Sequence, residues 1–353
     1  MADTPDDYLW DGTGEADAAV ERLETLLVRY RSADPPPRLR LPEIAPPAAV
    51  THGAALASAG STWRTAAAVA ALVLLSSSAG WLTDDRRPAA VSEPWHIASV
   101  LGAPTIDRAP ALSRARLDTG RWLETDRHSS AVLDVGRIGR LNIAPQTRLR
   151  VLESSQGEHR VTLERGRIEA QIWAPPGRFF VETASATAID LGCAYTLTVD
   201  AAGTGTLSVT AGWVGLEHQG RESFIPADAS ARTYPRLGPG VPTFDDAPAA
   251  LRAAVELLDT ARGAEGQQAA VDVVVREARP QDAVTLWHLI DRVDRSLAAR
   301  VIDHLQVLAP APPGVTRDGV LSGNRAMRDQ WWEALGLGSA AWWRTWRQEW
   351  RTR

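Results

Sequence analysis

The sequence predicts a multidomain chain: a single transmembrane helix near the N-terminus, an all-β domain in the middle and an α-helical C-terminal region. Three observations carry this reading. One uncharged run lies between Arg64 and Asp84. Period-two alternation of apolar and polar residues then recurs from Ala131 onward. Beyond Pro248 the apolar spacing changes to three and four.

The uncharged run, residues 65–82, is rich in Ala, Leu, Val and Ser. As a helix rising about 1.5 Å per residue it reaches roughly 27 Å, enough to cross a thin hydrocarbon core. Trp63 and Trp81 stand where interfacial aromatics belong, and Arg64, Asp84, Asp85, Arg86 and Arg87 close the ends. A buried soluble helix is the alternative for so Ala-rich a stretch. The segment ahead of it is too long for the n-region of a cleaved signal peptide. Arg29, Arg31, Arg38, Arg40 and Arg64 precede the run, which orients the N-terminus to the cytoplasm and the body to the periplasm of a bacterial inner membrane. The expected parts are a short head (1–63), the span (64–83), the β domain (112–234) and the helical, Trp-rich region (246–353).

Composition bounds the rest. A chain of 353 residues allows two or three domains. The net charge of −5 gives no general attraction to nucleic acid, so no direct nucleic-acid partner is expected. Cys193 is the single cysteine, which excludes an intramolecular disulfide and a zinc site built on several thiolates.

In the head, Val20, Leu23, Leu27 and Tyr30 form an apolar stripe over an expected helix, residues 15–31. A lone amphipathic helix cannot bury its stripe against itself, so these four residues are candidates for a partner's groove. A Pro- and Ala-rich tether follows, to Gly60. Past the span, residues 88–113 lack pattern and read as irregular. Ala131, Leu133 and Val135 then alternate, as do Leu141 with Ile143, Val161 with Leu163, and Ile168, Ala170 and Ile172 after a turn at Gly166. Nine or ten short strands are expected, and sandwich, barrel and solenoid windings are all compatible. Four amphipathic helices follow, marked by Leu251, Ala270, Val284 and Leu297 and their partners at helical spacing.

Little in the sequence points to catalysis. No enzyme activity, cofactor or metal site is expected. His288 and His304 fall on separate helices and read as partly exposed. Cys193 reads as a buried structural thiol, having no adjacent His or Arg to activate it. In the C-terminal tail Trp342, Trp346 and Trp350 recur every four residues. This stripe either packs back on the helices or meets a partner or membrane surface.

Several stretches carry a resemblance. They are Gly120-Arg-Trp-Leu-Glu-Thr125, Ala131-Val-Leu-Asp-Val-Gly136, Leu141-Asn-Ile-Ala-Pro-Gln-Thr-Arg-Leu149 and Val161-Thr-Leu-Glu-Arg-Gly-Arg-Ile168. Phe180-Val-Glu-Thr-Ala184, Asp190-Leu-Gly-Cys-Ala-Tyr-Thr-Leu197 and Val209-Thr-Ala-Gly-Trp-Val214 complete the series. Together, over about a third of the chain, they resemble a FecR domain, the periplasmic part of FecR-type transmembrane anti-sigma regulators. Cys193 stands where the family usually has Thr, and Ala184 where it has Pro. The resemblance implies a β-solenoid-like or sandwich-like sensor domain. It also implies a cytoplasmic head that holds an extracytoplasmic-function sigma factor, and a periplasmic or outer-membrane protein as the other partner. The alternative function is a cell-envelope scaffold or ligand-binding module without a sigma factor.

Overall fold

The computed structural model describes residues 94–155, 157–260 and 264–337. The chain divides into two units, Met1–Leu82 and Thr83–Arg353, and every described residue belongs to the second. The head and the run 65–82 lie outside the described residues. Among the described residues no helix is long and apolar enough to cross a membrane.

The body is mostly β-sheet followed by helices. The strands are β1 (Trp95–Leu101), β2 (Thr105–Ile106), β3 (Ala109–Pro110), β4 (Arg116–Leu117), β5 (Trp122–Glu124), β6 (Ser130–Val135), β7 (Gly139–Ile143), β8 (Arg148–Ser154) and β9 (His159–Ile172). They continue with β10 (Phe179–Glu182), β11 (Thr187–Asp190), β12 (Ala194–Val199), β13 (Gly205–Ala211), β14 (Trp213–His218), β15 (Arg221–Pro226), β16 (Ala229–Tyr234), β17 (Gly238–Pro239) and β18 (Thr243–Phe244).

Two layers result. The first runs β4-β1-β6-β7-β9-β12-β13-β16, with β17 and β18 on β16. The second runs β3-β2-β5-β8-β9-β10-β11-β14-β15. Neither layer closes on itself. Alternation explains the stacking. Leu133, Leu141, Ile168, Leu197 and Leu207 of the first layer share one core with Leu123, Leu149, Val161, Leu163 and Ile225 of the second. The apolar faces therefore meet, as in a sandwich.

β9 belongs to both layers. Its first half pairs with β8 and, in parallel, with β10; its second half pairs with β7 and β12. The sequence suggests a turn at Gly166, but the strand continues unbroken through that position. Gly166 sits at φ +101, and a Cβ there would lie 2.3 Å from Thr147 Oγ1. A residue without a Cβ lets the strand turn its corner without breaking.

The β region also begins earlier than Leu112, at Trp95. The stretch that reads as irregular contains β1 to β3. Its own pattern is weak because only Trp95 and Ile97 of β1 are buried. The strand is fixed from elsewhere: Ile97 pairs with Leu133, and Trp95 Nε1 donates to His159 Nδ1 at 3.1 Å.

The helices follow the expected apolar stripes. They are α1 (Ala249–Thr260), α2 (Ala264–Glu277), α3 (Ala283–Leu289), α4 (Arg295–Leu308), α5 (Arg317–Leu321) and α6 (Arg325–Ala334). Leu251, Val255, Val271, Val274, Leu286, Val301, Leu305 and Trp331 make a second core. Asn324 caps α6, its side chain accepting from the Met327 N–H.

Candidate functional site

A third cluster joins helices to sheet. Phe180 of β10, Ile189 of β11, Leu191, Phe224 of β15 and Trp332 of α6 pack together, with Trp213, Trp287 and Leu337 against them. Their neighbours in sequence, Phe179, Val181, Ala188 and Ile225, point the other way into the sandwich core. The β10–β15 part of the second layer is thus covered on both faces. This explains why Phe179, Phe180 and Val181 are all buried and show no alternation. The rings of Trp332 lie 5.9 Å from Trp287, 6.1 Å from Phe224 and 6.3 Å from Trp213. Such offset and edge contacts add to the burial of the rings.

Beside this seam lies a cleft of about 790 Å³. The β14–β15 hairpin gives it Gln219, Gly220, Arg221, Glu222 and Phe224. The helices give it Trp287, His288, Asp291, Arg292, Gly323, Arg325, Arg328, Asp329 and Trp332. Its arginines are held at different depths. Arg292 is half-buried; its Nη2 donates to the Glu222 carbonyl at 2.6 Å and to Ser223 Oγ at 3.1 Å. Burial, with Arg221 nearby, lowers its pKa to about 10. Arg221 donates from Nε to the Pro239 carbonyl at 2.8 Å and sits 3.5 Å from Asp259. Asp259 in turn accepts the Val241 N–H, and burial raises its carboxyl to about 6. Arg328 pairs with Asp291 at 2.7 Å.

His288 ties helix to sheet. The sequence places it on a partly exposed face; it is buried. Nε2 accepts the Phe224 backbone N–H at 3.0 Å, which assigns the ring proton to Nδ1, donating to Val284 C=O at 2.8 Å. A second proton would have to face an N–H donor in a dry site. Burial, and to a lesser degree Arg292, accordingly lowers the pKa from 6.5 to about 4, against the opposing pull of the Val284 carbonyl and Asp291. The folded value lies below the unfolded one. The ring's contribution to stability is complete above about pH 6.5 and is lost as the pH falls through about 4. The gap is worth on the order of 3 kcal/mol. Asp190 and Asp259, both raised by burial to about 6, act with the opposite sign, favouring the fold below 3.8 and losing that effect as the pH rises through 6. The two trends offset each other in the wild type. Comparison with His288→Gln separates them: the stability advantage of wild type, from urea unfolding, is expected to shrink by on the order of 3 kcal/mol between about pH 7 and pH 4. A pH-independent difference would contradict the neutral ring.

Cys193 is buried, and its thiol donates to Asp190 Oδ2 at 2.8 Å. Burial and that carboxylate push the thiol well above its ordinary range, so it is an inert structural donor. Among the described residues no group of three or more His, Cys, Asp and Glu side chains could hold a metal ion.

The expected contact residues Val20, Leu23, Leu27, Tyr30, Trp342, Trp346 and Trp350 all lie outside the described residues. The cleft itself is not legible in the sequence. Phe224 and His288 are bonded across 64 positions of sequence, and no local pattern announces such a pair. The one available signal is the Trp287–His288 dipeptide on an otherwise apolar helix face.

No family model and no curated protein matches the chain. Among solved structures it is similar to a "putative anti-sigma factor" from Parabacteroides distasonis ATCC 8503, seen in crystals at 1.65 and 2.50 Å resolution. Both comparisons give a TM-score of 0.31 and 16% identity over 38% of this chain. The chain spans 63% and 62% of the length of those two structures.

Proposed function

We propose that the chain is a FecR-type transmembrane signal transducer in the bacterial inner membrane. In this reading the head, through Val20, Leu23, Leu27 and Tyr30, holds an extracytoplasmic-function sigma factor in the cytoplasm. The β-sheet body and its helices stand in the periplasm and receive a signal from a periplasmic or outer-membrane protein. The protein works by protein contacts, without catalysis or a cofactor.

One observation supports the reading: four of the stretches that carry the resemblance fall on strand-to-strand connections or on the corner of β9. Leu141 to Leu149 spans the β7–β8 turn, where Gln146 takes φ 57. Val161 to Ile168 is the corner of β9. Asp190 to Leu197 leads from β11 into β12. Val209 to Val214 joins β13 to β14 through Gly212, where a Cβ would meet the Gly192 carbonyl at 2.2 Å. Cys193, in place of the usual Thr, still supplies a hydrogen-bond donor.

Topology is tested with alkaline phosphatase fusions in the full gene. Activity is expected for fusions after Ser92 and not for fusions before Arg64; the reverse pattern would sink the reading. Leu23→Asp tests the head. A buried charge in a groove costs several kcal/mol, so this variant is expected to lose its cytoplasmic partner and release transcription. Retained capture would favour a scaffold.

A further inference from the structure

We propose that the edge of the sandwich formed by residues 101–114 docks on a bilayer surface that contains anionic lipid. The nearness of a membrane rests on the spanning reading above; the face itself is built from described residues. Both layers end at this edge, the first on β4 and β1 and the second on β3. The chain runs along it from the end of β1 through β2 and β3 towards β4. Backbone bonds fix the course: the Ala111 N–H donates to Pro104 C=O at 2.8 Å and the Arg114 N–H to Ile97 C=O at 2.7 Å. Leu101 and Leu112 are each 68% exposed, and Ala103, Ala109 and Pro110 are exposed with them.

Single exposed leucines need no explanation, but these stand among arginines. Arg108 and Arg114 are exposed, and neither has an ion pair or a side-chain hydrogen bond among the described residues. Both take left-handed backbone, φ 69 and 68, where glycine would fit at less cost. The fold gains nothing from an arginine at either turn, so the charge serves something outside the body. The carboxylates along the edge are matched: Asp118 pairs with Arg116, and Asp107 pairs with Arg121 and accepts the Trp122 N–H. Four guanidinium groups less two carboxylates leave +2. Asp126, in the adjoining loop, accepts from Ser129 Oγ and the His128 N–H. Aliphatic side chains beside free guanidinium groups suit the boundary of headgroups and acyl chains, where arginines meet lipid phosphates. The point of entry selects a bilayer over an acidic protein. Pro94 leads into β1, a strand of this same edge, with Trp95 opposite Leu117. Eleven residues, 83–93, separate Pro94 from the uncharged run 65–82. They span at most about 40 Å, and β1 covers a further ~20 Å from Trp95 to Leu101. So short a tether gives the face a millimolar effective concentration at the surface, which turns weak affinity into standing contact.

The test is hydrogen exchange of the full chain reconstituted in phosphatidylcholine vesicles, with and without roughly 30% phosphatidylglycerol. Amides of residues 101–114 are expected to exchange about fivefold slower in the anionic vesicles, with the rest of the body unchanged. High salt should abolish the difference. Arg108→Gly combined with Arg114→Gly should abolish it too, in a chain that unfolds at the wild-type temperature or above because the backbone is relieved. Leu101→Ser combined with Leu112→Ser is expected to do the same. Equal exchange in the two kinds of vesicle would overturn the proposal, as would slowing that survives the double glycine variant. Slowing that grows with the ratio of protein to lipid would assign the edge to a second copy and overturn it as well. A chain that salt washes off the vesicles would fail the spanning reading alone; slowed exchange at low salt would then still support the face, and unslowed exchange would overturn it.

Discussion

Trp332→Ala is expected to lower the unfolding free energy by about 3 to 5 kcal/mol, among the largest effects of any single truncation in this body. The indole is 5% exposed and touches both sides of the join, with Trp213 and Phe224 on the sheet and Trp287 and His288 on α3. Its Nε1 has no acceptor among the described residues, so the side chain works by packing rather than by a hydrogen bond. Truncation leaves a cavity bordered by rings that cannot collapse into it. Urea unfolding followed by circular dichroism would show the loss, and Trp332→Phe should recover more than half. A cost below about 1 kcal/mol would mean that the helices are not held to the sheet through this seam.

The second large effect is expected at the corner of β9. Gly166→Ala combines two penalties. The φ of +101 is one that side chains rarely adopt, and the added Cβ would stand 2.4 Å from the Thr147 backbone Cα, which cannot move aside. Thr147 is itself tied across the corner, its Oγ1 accepting the Arg167 N–H at 3.0 Å. Strained backbone costs about 1 to 3 kcal/mol and overpacking about as much again, so roughly 3 to 5 kcal/mol is expected. Gly120→Ala separates the two terms. Gly120 has φ +85, and a Cβ added there would meet nothing within 4 Å, so only the backbone penalty applies. Equal losses at the two sites in thermal unfolding would refute the steric account of the corner.

The sequence is most legible where one face of an element is buried and the other is wet. β6 shows this: Ala131, Leu133 and Val135 alternate and are all buried. The helices are legible for the same reason, with Leu251, Val255 and Leu258 on one stripe of α1. Legibility fails where two layers compete for one residue run. Phe179, Phe180 and Val181 serve two cores at once, so their pattern is flat. It fails again at Gly166, because a glycine between two alternating runs looks the same whether the chain reverses or merely bends. His288 escapes because a buried polar ring is defined by its partners, and its partner Phe224 belongs to a distant strand. The cleft cannot be read at all, since β15 and α6 meet only once the whole body is assembled. Trp331 and Trp332 lie in the Trp-rich C-terminal region, and both pack inward.

The shared strand has a further meaning for how such a body can be divided. β9 gives one half of its length to each layer, and its neighbours β7, β8, β10 and β12 flank it on both sides in the chain. No cut and no splice in this stretch yields a fragment that owns one finished layer, because each layer borrows its central strand from the other. The sandwich cannot be assembled by duplicating or exchanging one sheet as a module.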